Sequence, residues 1–209
     1  MRKKAIVTGI NGQDGSYLAE FLIDKGYDVI GILRRHSLPE NQTSRLSKIF
    51  DDARLTLVYG DITDFASMLD LIKNNQPDEL YNLAAQSHVN ISFTQPGFTT
   101  NTDALGVLNV LEIVKSVSPK TRVYQACSSE MFGNEHDEDG YRRETTLMRP
   151  VSPYGCSKLY GFNLGRVYRS SYNMFVSNGI LFNHESPRRG INFVTNKVID
   201  GAVKIFKGE

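Results

Sequence analysis

The chain has 209 residues, 40% of them hydrophobic and 22% charged, an ordinary globular composition that argues against disorder and suits one packed domain with a small appendage. A net charge of +1 with no run of Lys or Arg argues against nucleic acid or anionic membrane as the main partner, so the expected ligand is a small molecule. No apolar stretch approaches the length that spans a bilayer, and two cysteines, Cys127 and Cys156, without a pairing pattern or a secretory leader point to the cytoplasm.

The first strand is expected over Ala5 to Thr8, followed at once by the turn Gly9, Ile10, Asn11, Gly12, Gln13, Asp14, Gly15, with a helix from Tyr17 to Lys25. Glycines between a strand and a helix allow a tight turn and close approach of backbone to a pyrophosphate, so Gly9, Asn11, Gly12, Gln13, Asp14 and Gly15 are assigned to a dinucleotide. An ordinary turn is the plain alternative.

The second strand, Val29 to Leu33, ends in Arg34, Arg35, His36 and Ser37 where an acidic residue would hold a ribose diol. Adjacent guanidinium groups suit a 2'-phosphate, so Arg34, Arg35 and Ser37 predict NADP; two solvated arginines are the alternative. After the third strand, Leu55 to Tyr59, Asp61 and Ile62 are placed to meet the adenine. After the fourth, Glu79 to Ala84, the small polar run Leu83, Ala84, Ala85, Gln86, Ser87 lets backbone pass close to cofactor and substrate, or reflects tight packing alone.

A helix is expected over Leu105 to Val117, then strands over Arg122 to Ala126 and Phe175 to Leu181, and a helical segment from about Phe193. Several strands are nearly all apolar, as they are where helices cover both faces of a parallel sheet, and the fold class is a doubly wound, Rossmann-like α/β sheet. Two long polar loops, Arg34 to Ser44 and Gly133 to Val151, follow strands at the edge where ligands bind such sheets. Residues 1–182 read as the cofactor-binding domain carrying the catalytic residues. Residues 183–209 read as the start of a smaller substrate-binding region that the chain leaves largely missing.

Ser128, Ser129 and Glu130 lie just past the fifth strand, and Tyr154 and Lys158 lie one helical turn apart. On a helix the pair shares one face, and a cation beside a phenol stabilises its phenolate, which makes the phenol a usable base. A surface pair on an amphipathic helix is the alternative for Tyr154 and Lys158, and a solvated loop glutamate is the alternative for Glu130. No metal ligand set is assigned.

The segments GINGQDGSYLAE, NLAAQSHV, SSEMFG, SPYGCSK and NGILFNHESPRRG resemble the extended short-chain dehydrogenase/reductases, and within them the GDP-mannose 4,6-dehydratase family. NHESPRRG followed by FVTNK is the most specific of these, because YxxxK and the glycine turn occur throughout the superfamily. The resemblance implies an internal redox elimination on GDP-mannose. NADP would oxidise sugar carbon 4 while Tyr154, with Lys158, accepts the hydroxyl proton; Glu130 would take the proton at carbon 5 and help the hydroxyl at carbon 6 leave as water. Ser128 would bond the reacting hydroxyl; the family usually has Thr there, and Ser keeps the hydroxyl.

By the same resemblance His184 and Arg189 face the dinucleotide, and Tyr154 and Lys158 also touch it. Ser87, Ser129, Asn183, Val194 and Lys197 join Ser128 and Glu130 at the substrate. The Arg34 to Ser44 loop is similar to a family loop that reaches a neighbouring subunit, which implies a homo-oligomer, dimer or tetramer. Cys127 and Cys156 match no family role and are expected to be small buried packing. Another nucleotide-sugar epimerase or reductase of the same fold, and a non-catalytic nucleotide-binding fragment, are the alternative functions.

Overall fold

The computed structural model describes residues 2–35 and 43–208. Ser37 and most of the arginine-containing loop lie outside the described residues. In chain order the elements are β1 (Lys4–Thr8), α1 (Gln13–Asp24), β2 (Asp28–Leu33), β3 (Leu55–Tyr59), α2 (Phe65–Asn75), β4 (Glu79–Asn82), α3 (Val89–Thr94), α4 (Pro96–Thr100), α5 (Gly106–Val117), β5 (Arg122–Ala126), α6 (Pro153–Tyr172), β6 (Val176–Gly179) and α7 (Val194–Lys207). Two 3-10 turns, Ser44–Leu46 and Ser129–Phe132, and a π-helical turn, Asn101–Leu105, connect them.

The six strands form one sheet in the order β3-β2-β1-β4-β5-β6, every neighbouring pair parallel. This is the doubly wound order, and the direction of winding reverses between β1 and β4, where a crevice opens at the carboxyl ends of the strands. Alternation along β1 sends Ala5 and Val7 into a core with Ala19, Leu22 and Ile23 of α1, and Ile6 into a second core with Met68, Ile72, Val110 and Leu111 of α2 and α5. Both faces of the strand are therefore apolar because both are covered.

The differences from the sequence reading lie at element ends. Strand β4 stops at Asn82, not Ala84, because the amides of Leu83 and Ala84 donate to Thr8 Oγ1 at 3.0 Å each instead of continuing the ladder. Helix α1 starts at Gln13, inside the glycine turn. The helix expected from Leu105 continues a rod already helical from Pro96, and the π turn between them buries Asp103. The loop from Gly133 to Val151 carries one bridge, Gly133 to Arg149, and is held by Arg143 to Asp137 and Asp139, at 2.7 and 2.5 Å. None of the residues of α7 is buried. No helix among the described residues is long and apolar enough to cross a membrane.

Candidate active site

At the carboxyl edge of the sheet lies a cleft of about 1080 Å³. Its floor begins at Gly9, whose φ of +66° is a conformation that glycine adopts without strain. A side chain there would also press on Ala84, with Cβ 3.1 Å from its backbone. The turn closes through Gly12 N to Gly9 O at 2.9 Å, and no side chain caps the start of α1. Gly12 lines the cleft, and a Cβ there would have only Gly9 O within 4 Å, at 3.1 Å. Open backbone at a helix start is what an anion needs.

Helix α6 carries Tyr154 and Lys158. Ser152 Oγ accepts from Gly155 N at 3.0 Å and Pro153 occupies the first turn, so cap and proline fix where the helix begins. Tyr154 and Lys158 follow on its inner face, 7% and 4% exposed. Lys158 Nζ lies 5.7 Å from the Tyr154 ring centroid and donates to Ala126 O at 3.2 Å. The ammonium is thus buried but hydrogen-bonded, as a buried charge must be.

Past β5, Ser128 caps the 3-10 turn, its Oγ accepting from Glu130 N at 3.2 Å. The start of α6 rests on this turn: a Cβ on Gly155 would lie 2.7 Å from Glu130 O, which puts the Glu130 backbone against the residue that follows Tyr154. The Glu130 side chain is half-buried and lines the cleft.

The segment after β6 crosses the cleft and fastens to α1. Gln13 Nε2 donates to His184 O at 3.1 Å, Ser186 Oγ donates to Gln13 Oε1 at 2.9 Å, and Arg188 pairs with Glu20 and donates to Ser16 Oγ at 3.0 Å. His184 has its Nδ1 2.7 Å from Phe182 O and its Nε2 2.7 Å from Asp14 Oδ1. The carbonyl of Phe182 and, after it, Asp14 raise the imidazole pKa above its usual value.

The cleft gathers Gly9, Asn11, Gly12, Gln13, Asp14, Gly15, Arg34, Asp61, Ile62, Leu83, Ala85, Ser87, Ser128, Glu130, Tyr154, Lys158, Asn183, His184, Arg189, Val194 and Lys197. Among the described residues, two assigned ones, Arg35 and Ser129, are not in its wall. Arg35 turns to Tyr59, its guanidinium 5.9 Å from that ring, while Arg34 lines the cleft 5.6 Å from the Phe98 ring; successive residues leaving a strand point to opposite sides. Ser129 joins its turn to the segment after β6, its amide donating to Leu181 O at 2.8 Å. Cys127 is buried as expected, but Cys156 is exposed, because it lies on the solvent side of α6.

Three residues of the site carried no signal in the sequence, and a fourth, Arg188, lies in the NHESPRRG segment but is given no role there. Arg45 lines the cleft from its 3-10 turn and donates to Asn11 O at 3.2 Å and Arg188 O at 2.9 Å. Arg188 lines it beside Arg189. Thr8 lines the cleft floor and Asp103 acts from below: Asp103 is 1% exposed, accepts from Gln86 N at 2.8 Å, and is pushed up to about 6 by burial, against the opposing charge of Lys158. A polar residue at a strand end or inside a helix looks like any other until the fold surrounds it.

The sequence model of the GDP-mannose 4,6 dehydratase family matches residues 6–209. The chain belongs to that family. It is 49% identical to GDP-mannose 4,6-dehydratase of Yersinia enterocolitica, over 99% of this chain and 56% of the relative. It is 46% identical to the Vibrio cholerae enzyme of that name, over 100% of this chain and 57% of the relative, and 44% identical to the Homo sapiens one, over 100% and 57%. The chain thus spans a little over half the length of the curated relatives it matches. Among solved structures, dTDP-glucose 4,6-dehydratase of Streptomyces venezuelae superposes with a TM-score of 0.84 at 23% identity, over 98% of this chain and 62% of that one. UDP-glucuronic acid 4-epimerase of Bacillus cereus does so at 0.84 and 24%, over 96% and 63%. The fold of this GDP-mannose dehydratase family member is therefore that of sugar-nucleotide dehydratases and epimerases.

Proposed function

We propose that the protein converts GDP-mannose to GDP-4-dehydro-6-deoxy-mannose with loss of water, using NADP. The observation that carries the reading is that Ser128, Glu130, Tyr154 and Lys158 line the same cleft as the open glycine turn. Family membership supports the substrate, since the relatives bear the name GDP-mannose 4,6-dehydratase.

Gly9 to Gly15 and the start of α1 would hold the pyrophosphate of the dinucleotide, Asp61 and Ile62 its adenine end, and Arg34 a 2'-phosphate. The two solved neighbours contain NAD; the choice of NADP rests on Arg34, which stands where an acidic residue would favour NAD. The bound nicotinamide would supply reversible hydride acceptance, leaving the cofactor unconsumed.

The protein's own residues move the protons. Ser128 Oγ and Tyr154 address the hydroxyl on carbon 4, and Tyr154 accepts its proton while the Lys158 ammonium stabilises the phenolate. Oxidation at carbon 4 acidifies the proton on carbon 5. Glu130 takes that proton as base and returns it to the departing hydroxyl of carbon 6, so a single carboxylate serves both halves of the elimination and water leaves. An epimerase or reductase needs no carboxylate at this position, which is why Glu130 favours a dehydratase.

His184 and Arg189 would flank the dinucleotide, and Asn183, Ser87, Val194 and Lys197 the sugar nucleotide, with residues 183–209 beginning a substrate-binding region. Assembly as a homo-oligomer in the cytoplasm completes the reading. Incubation with GDP-mannose and NADP+ is expected to yield a sugar nucleotide lighter by one water in the mass spectrum, and an unchanged mass would overturn the assignment.

A further inference from the structure

Lys158 depends on one backbone acceptor, Ala126 O, and that carbonyl is open to it for a reason that lies two strands away. Strands β4 and β5 pair in parallel from Glu79 opposite Arg122 to Asn82 opposite Gln125. Arg122 N donates to Asp78 O, the residue before its partner. In a parallel ladder the same residue accepts from the amide of the residue after its partner. Carried to Ala126, this register would bring Ala84 N to Ala126 O. It does not, because Ala84 N and Leu83 N both donate to Thr8 Oγ1, at 3.0 Å each.

The diversion propagates further. With both of its lone pairs taken by amides, the Thr8 hydroxyl can only donate, and it does so to Asn82 Oδ1 at 2.7 Å. That fixes the Asn82 amide with its nitrogen toward Gln125, donating to Gln125 Oε1 at 2.8 Å. Gln125 is oriented in turn, and its Nε2 donates to Ala126 O at 3.0 Å. Thr8, Asn82 and Gln125 are 0%, 1% and 2% exposed, so water does not compete for these bonds. Ala126 O thus receives two donors, Gln125 Nε2 and Lys158 Nζ, which fill its capacity. Were Ala84 N to return to the ladder, one of them would have to leave.

We propose that Thr8 is a positioning residue for Lys158: its hydroxyl draws the amides of Leu83 and Ala84 off the sheet, keeps Ala126 O open to the ammonium, and through Asn82 and Gln125 aligns the carbonyl's second donor. The glycine turn that follows Thr8 and the Tyr154–Lys158 pair are thereby built on one hydrogen-bonded row across β1, β4 and β5. The catalytic consequence rests on the dehydratase reading above, whereas the structural one does not.

The test uses Thr8→Val, which keeps shape and loses the hydroxyl, and Thr8→Ser, which keeps the hydroxyl. Thr8→Val is expected to lower kcat about tenfold with KM unchanged, and Thr8→Ser to stay within about twofold of wild type. In a Lys158→Met background Thr8→Val is expected to cost nothing further, because both changes remove the same function. A full additional loss in that background, or unchanged kcat in folded Thr8→Val, overturns the proposal. If Thr8→Val does not fold, Gln125→Leu replaces it, with the same kcat loss and the same lack of additivity expected, and full activity overturning.

Crystal structures of the Thr8→Val and Thr8→Ser proteins supply a readout that needs no activity. Ala84 N bonded to Ala126 O with Lys158 Nζ displaced is expected in the first and not in the second, and an undisturbed Lys158 in Thr8→Val overturns the proposal. If the wild-type protein leaves GDP-mannose unchanged, the functional reading fails by itself and these structures still decide the role of Thr8.

Discussion

His184 and Asp14 stand 170 residues apart in sequence, yet Nε2 of one lies 2.7 Å from Oδ1 of the other, so the segment after β6 is clasped to the first turn of α1 over the glycine turn. Nδ1 of the same ring faces Phe182 O at 2.7 Å, and only a ring protonated at both nitrogens can donate to both oxygens.

This predicts a pH-dependent clasp. The folded-state pKa of His184 is raised, chiefly by Phe182 O and then by Asp14. A raised cationic group contributes stability that is fully present below its unfolded pKa and is lost as pH rises through the folded one. His184→Gln should therefore be less stable than wild type at acid pH, by about 0.5 kcal/mol given the solvent-screened pair, and the gap should close toward alkaline pH in urea melts. A gap that widens with pH would contradict the clasp.

Asp103 has the same sign by a different cause. Burial raises its carboxyl from 3.8 to about 6, so the folded state binds the proton more tightly and stability falls as pH rises from about 4 to about 7. Two pKa units correspond to about 3 kcal/mol. Asp103→Asn should remove most of this dependence and be more stable than wild type at pH 8, as read by denaturation at pH 5 and pH 8. Equal pH slopes for the two proteins would refute it.

On the proposed function, Glu130→Gln should separate elimination from binding. Turnover of GDP-mannose should fall about a hundredfold or more, the usual weight of a general base, while calorimetry finds dinucleotide affinity unchanged. Retained turnover would remove Glu130 from the mechanism.

Arg34 and Arg35, adjacent in sequence, should differ in effect. Arg34→Ala is expected to lose about tenfold in affinity for NADP with little change for NAD, the loss of one charge-assisted contact. Arg35→Ala, whose guanidinium rests against Tyr59 outside the cleft wall, should change both affinities by about twofold at most. Equal losses in the two variants would show that the wall as described is not the phosphate site.

The two cysteines should react at different rates. Burial pushes the Cys127 thiol up to about 12, whereas Cys156 is exposed. A thiolate-selective reagent should modify one thiol per chain quickly and the second only on denaturation, with Cys156→Ser abolishing the fast phase.

The sequence by itself determined the parallel doubly wound sheet, because several strands covered on both faces are nearly all apolar and alternate with helical patterns, and it marked the glycine turn, Glu130, Tyr154 and Lys158, which residue type and short spacing pick out and the fold gathers in one cleft. The bounds of β3 and β5 were legible for the same reason. Only the tertiary structure decided where β4 ends, which of two adjacent arginines faces the cleft, that Cys156 is exposed, and that Asp103 is buried beside Lys158. It also brought Asp14 to His184 and Thr8 into the row that reaches Lys158. These are contacts between residues far apart in the chain, made by polar side chains common in any turn, and their partners exist only once the sheet has set its register.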